Sequence, residues 1–129
     1  MHDQPSVSEL IAAVKHFIDE TAAPNLSGHA GFHARVASNA LATVLRDLKA
    51  RVPNDMAEAK RLRDLLGAPN TVFLAELNRD LCDQIRSGEM TPETPGLLAH
   101  LKATTMAQVE VDQPRYSGLK TAKEKSPTV

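Results

Sequence analysis

The sequence predicts an all-α protein: a compact up-and-down bundle of about five helices with a long central second helix. Two observations carry this reading. The apolar content comes from Ala, Leu and Val, with 3% aromatic residues and no Trp. Ala and Leu lose little on entering a helix, whereas strands favour β-branched and aromatic side chains. The apolar residues also recur at helical spacing between short connections rich in Pro and Gly, as antiparallel helical neighbours require.

The first helix has a readable start, because Ser6 and Glu9 form an S-x-x-E capping box. Leu10, Ile11, Val14, Phe17 and Ile18 follow as its core stripe, and Pro24 closes it. A second helix is expected over about 30–51, with Val36, Ala37, Ala40, Leu41, Val44, Leu45 and Leu48 turned inward. Ala34 and Ala42 add small residues on other faces, which places this helix centrally. Pro53 is expected to end it. A short third helix then carries Met56, Ala59, Leu62, Leu65 and Leu66, stopped by Gly67 and Pro69. The fourth starts at Thr71, displays Leu74, Leu77, Leu81 and Ile85, and ends at Gly88. The fifth begins near Thr94 with Pro95 in its first turn and carries Leu97, Leu98, Leu101, Thr105 and Val109. Residues 1–116 thus read as one helical bundle domain, and 117–129 as a disordered C-terminal tail.

Composition narrows the function. Fifteen basic residues against sixteen acidic ones give no long-range field toward nucleic acid or an anionic membrane. Cys82 is the single cysteine, which excludes an internal disulfide and a cysteine zinc knuckle. No apolar run approaches the roughly 18 residues of a membrane span. The opening "MHDQPSVSE" lacks the basic and apolar regions of a signal peptide, so a soluble, cytoplasmic protein is expected. No G-x-S-x-G, phosphate loop or kinase motif is present, and no catalytic residue or cofactor is assigned.

The candidate site residues centre on "GHAGFHARVASNAL", residues 28–41. His29 and His33 are four apart, as a helical metal pair requires, but two ligands do not make a site, and no metal is assigned. At about 100° per residue His33 falls with Ala37, Ala40 and Val44, so it is expected to point inward as a structural polar anchor or pocket edge. Arg35, Asn39 and Arg46 lie nearly opposite, either as a solvated face or as a docking face for partner carboxylates. Asn78 interrupts the rim of the fourth stripe and His100 that of the fifth; both are further candidate anchors. In "VDQPRY", residues 111–116, the chain either folds back as a cap or presents Arg115 and Tyr116 to a partner.

The segments "ELIAAVKHFID", "FHARVASNALATVLRDL", "LLAHLKATT" and "VDQPRY" resemble a family of small bacterial proteins with an unknown-function domain. The resemblance runs from about Asp3 to Tyr116, and F-H-A-R-V-A-x-N-A-L is its most specific part. Members tend to be encoded beside aminoglycoside-phosphotransferase-like kinases and acyl-CoA dehydrogenases. The family resembles the small accessory subunit of kinases that phosphorylate hydroxyacyl-CoA, as in levulinate-type catabolism. Members often have Asn before the final Pro-Arg-Tyr, where this chain has Gln113. The resemblance implies a non-catalytic partner of such a kinase; a helical homodimer is compatible with this reading and with its alternative. The alternative is a stand-alone domain binding an acyl-CoA or other small molecule, even a minor enzyme, with a pocket near His33 and Asn78 or His100.

Overall fold

The computed structural model describes residues 4–125. Among these the fold is all-α, with five α-helices: α1 Val7–Phe17, α2 Gly28–Leu66, α3 Leu74–Ser87, α4 Leu97–Asp112 and α5 Ser117–Glu124. The chain divides into two compact units, Met1–Ala50 and Arg51–Val129, whose boundary falls inside α2.

Helix α2 corrects the expected boundary at Pro53, because the second and third expected helices are one 39-residue helix with Pro53 inside it. Pro53 cannot donate to the Lys49 carbonyl. Both residues are exposed, so water can serve that carbonyl. Beyond it, Ala59 and Leu62 keep the helical phase of Leu48 and are buried. Packing at those positions outweighs the one missing backbone bond.

In the first unit the Ser6–Glu9 capping box forms as the sequence predicts: Glu9 N–H donates to the Ser6 hydroxyl, and its carboxylate accepts from the Ser6 N–H at 2.7 Å. A π-helical turn over Ile18–Ala22 and a 3₁₀ turn over Ala23–Asn25, which holds Pro24, follow α1. The expected core stripes are corrected here. Leu10, Val14 and Phe17 are exposed, while Ile11 and Ile18 are half-buried. On α2, Val36, Ala37, Ala40 and Val44 are exposed, and Leu41, Leu45 and Leu48 are half-buried. Among residues 4–50 only Gly31 and Ser38 are buried, so the inward side of α2 runs Gly31, Ala34, Ser38, Leu41, Leu45.

Small residues select that side. A Cβ at Gly31 would sit 2.7 Å from the Leu26 carbonyl oxygen, so no larger side chain fits. About two turns further on, the Ser38 hydroxyl donates to the Asp19 carboxylate, which also pairs with Lys15. A helix with apolar residues on two faces turns inward the one that permits close approach, and here that is the glycine and serine face.

The second unit holds the buried apolar core: Ala59 and Leu62 of α2, Leu77 and Leu81 of α3, Met90 of the following loop and Leu97 of α4. Leu62 and Leu77 are completely enclosed. Helix α3 starts three residues later than expected, at Leu74, where the Glu76 carboxylate accepts from the Phe73 N–H. It ends as predicted at Gly88, whose φ of 79° is the left-handed conformation that a side chain disfavours. That turn lets Met90 N–H reach the Gln84 carbonyl at 3.0 Å, so Met90 folds into the core. Helix α4 starts at Leu97 rather than near Thr94, after a turn in which Thr94 Oγ accepts from Thr91 N–H. Leu98, Leu101 and Thr105 are exposed, and the inward positions are Leu97, His100 and Val111.

The expected disordered tail is corrected over 117–124, which forms α5. Leu119 is its buried anchor, and Lys123 donates to Glu110 of α4 at 2.6 Å. One leucine and one ion pair to a neighbouring helix order a segment whose composition alone reads as too polar to fold. Residues 126–129 lie outside the described residues.

Candidate functional site

Helix α2 begins with a segment, residues 28–46, that contains Arg35, Arg46, His29 and His33 and no Asp or Glu. Its first turn carries no acidic side chain to meet the positive end of the helix dipole. His33 does not point inward as expected; it is exposed. Its ring stacks on that of His29 with centroids 6.4 Å apart and meets Phe32 edge-on at 5.5 Å. The inward side passes through Gly31 and Ala34, which turns residue 33 outward. Gly28, His29, Phe32 and His33 line a shallow, mainly apolar concavity.

Phe32, Val36 and Val44 stay 55%, 47% and 42% exposed and follow one another down the outer side of α2. Arg35 and Asn39 border the Phe32 end of that row. Arg35 and Asn39 are exposed, and Arg35 makes no hydrogen bond or ion pair among the described residues. Arg46 is half-buried and donates to the Thr43 hydroxyl at 2.9 Å. An apolar centre with an arginine and amide edge is the usual make-up of a protein-docking surface. On α1, Val7, Leu10, Val14 and Phe17 form a second exposed apolar row at spacings of three and four.

In the second unit the structure places Asn78 and His100 around residues to which the sequence attached no expectation. Asn78 Nδ2 donates to the Glu58 carboxylate at 2.8 Å, and Arg61 Nη2 donates to the Thr104 hydroxyl at 3.2 Å. His100 is buried, and its Nδ1 is enclosed without a hydrogen-bond partner, as is Arg61 Nε. Burial, and then the Arg61 charge, holds the His100 pKa below the ordinary imidazole value, with Glu58 partly opposing. The signal for Glu58 and Arg61 was their position beside Ala59 and Leu62, on the border of the buried face.

Arg115 and Tyr116 are exposed at the turn between α4 and α5. Tyr116 N–H donates to the Gln113 carbonyl at 2.9 Å, and the Tyr116 ring lies over Gly118, where a Cβ would come within 2.5 Å of it. The chain therefore both folds back through α5 and leaves Arg115 and Tyr116 facing solvent. Cys82 is an exposed free thiol on α3.

Among the described residues no group of three or more His, Cys, Asp or Glu side chains is placed to hold a metal ion. No described helix is long and apolar enough to cross a membrane. Comparison with curated proteins gives no match, and neither does comparison with solved structures. A family match covers residues 24–116, from the 3₁₀ turn before α2 to the turn before α5. With its charged and apolar outer row inside that span, the chain belongs to the family described as "Domain of unknown function (DUF6285)".

Proposed function

We propose that this chain is a non-catalytic interaction subunit, and that it docks in the cytoplasm on a phosphotransferase-family kinase acting on hydroxyacyl-CoA in hydroxy-acid catabolism. The observation that carries docking is the first unit's balance of surface and interior. Val7, Leu10, Val14, Phe17, Phe32, Val36 and Val44 are all more than 40% exposed, while no apolar side chain among residues 4–50 other than glycine is buried. A helix as short as the 11-residue α1 is marginal in water unless an apolar face is covered. Support for a kinase as the covering protein comes from the resemblance carried by "FHARVASNAL" and "VDQPRY".

Co-expression with an aminoglycoside-phosphotransferase-like kinase of the kind the resemblance implies tests the proposal. A co-purifying complex and a kinase turnover that rises with added chain are expected. Separate elution together with unchanged turnover refutes it. The rival reading, a stand-alone small-molecule binder, has the concavity at His29, Phe32 and His33 in its favour. Thermal-shift screening of the isolated chain against acyl-CoAs and hydroxy acids discriminates, because a ligand that binds only the folded state raises the melting temperature.

A further inference from the structure

We infer that the outer face of α2 takes an acidic amphipathic helix of the partner protein, its apolar side chains seated on Phe32, Val36 and Val44 and its carboxylates against Arg35. The inference rests on the docking reading above and adds the chemistry of what docks. From residue 32 to 44 the row spans about 18 Å at 1.5 Å per residue, the length of a three-turn helix. Helix-in-groove recognition seats apolar anchors along such a row, here with the small Ala40 between Val36 and Val44.

Charge decides the occupant. Residues 28–46 hold two arginines and two histidines and no acid. The helix N-terminus adds its own positive partial charge, with no acidic residue in the first turn to offset it. Two of the nearby acids are engaged, Glu9 in its cap with Ser6 and Asp19 with Lys15 and Ser38, and the next acid along α2, Asp47, is followed by the basic Lys49 and Arg51. Arg35 is exposed and presents its planar fork without an internal partner, the geometry that suits a carboxylate. A second copy of this face would set one basic edge against another, and like charges brought together suppress a pairing. A basic edge around an apolar centre therefore selects an acid-flanked partner over self-association.

The test uses the full chain and two fluorescein-labelled helical peptides with the same leucine anchors, one flanked by Glu and one by Lys. Fluorescence anisotropy is expected to show the Glu peptide binding at least about tenfold more tightly, with the preference falling as salt rises. Arg35→Glu should cut that preference at least about threefold, and Val36→Asp should abolish binding of both peptides while the circular dichroism stays helical. Equal binding of the two peptides, binding of neither, or a preference unchanged in Arg35→Glu overturns the inference. So does a wild-type dimer in sedimentation that Val36→Asp dissociates, which would make the occupant a second copy. A retained peptide preference without co-purification of the kinase would sink the kinase assignment and leave this inference standing.

Discussion

Leu62→Ala and Leu10→Ala make the same chemical change at opposite extremes of enclosure, 0% and 53% exposed. Leu62 lies among Ala59, Leu77, Leu81, Met90 and Leu97. Truncating it loses the transfer energy of the removed carbons and leaves a cavity that close-packed neighbours fill only in part. For an enclosed leucine the sum is about 3–5 kcal/mol. Leu10 already shows about half its surface to water and leaves no cavity, so its truncation forfeits roughly half a leucine's transfer energy, about 1 kcal/mol. Urea unfolding followed by helical circular dichroism measures both. A Leu62→Ala cost below about 1 kcal/mol would remove the core from where the structure puts it. A Leu10→Ala cost as large as that of Leu62→Ala would mean that the outer row of α1 is covered in the free chain.

Acid should weaken the second unit through His100. Its folded pKa lies below the ordinary value of 6.5, so the unfolded chain takes up the proton first. That contribution to stability is complete above pH 6.5 and is lost as pH falls through the folded-state pKa. The urea midpoint should therefore drop between pH 7 and pH 5, and His100→Gln should flatten that part of the profile; an identical slope in the variant refutes the assignment. Gly31→Ala should cost about 1–3 kcal/mol, because the added methyl meets the Leu26 carbonyl; a neutral effect in thermal unfolding would contradict the close approach. Gly118→Ala should lift the ring of Tyr116, the one tyrosine in a chain without Trp, and change its fluorescence while stability moves little, since the ring is mostly solvated. An unaltered emission would place the ring elsewhere.

The elements with strong local punctuation were legible in the sequence. Ser6 with Glu9, Gly67 and Gly88 mark helix ends because backbone groups there need a particular side chain or a left-handed residue. Pro53 misled, since a missing hydrogen bond on an exposed side is a small cost that only the packing of Ala59 and Leu62 reveals as tolerable. The orientation of α2 was not legible for a related reason. Its apolar residues cover more than one face, and the choice between them turns on steric details at Gly31 and Ser38 that depend on Leu26 and Asp19, which lie outside the helix and so off its wheel. Arg35 and Asn39 were placed outward correctly by the wheel, but His33 was placed inward by the same wheel with its origin on the wrong stripe. Met90 and Leu119 escaped notice because each is a lone apolar residue in a polar setting, and burial of a single side chain leaves no periodic trace.

A first unit whose buried positions, among residues 4–50, are a glycine and a serine would gain burial from any protein that covers its apolar rows. Its effective stability then follows mass action: each tenfold rise in a saturating binder adds about 1.4 kcal/mol, so the melting point of this half becomes a function of dose.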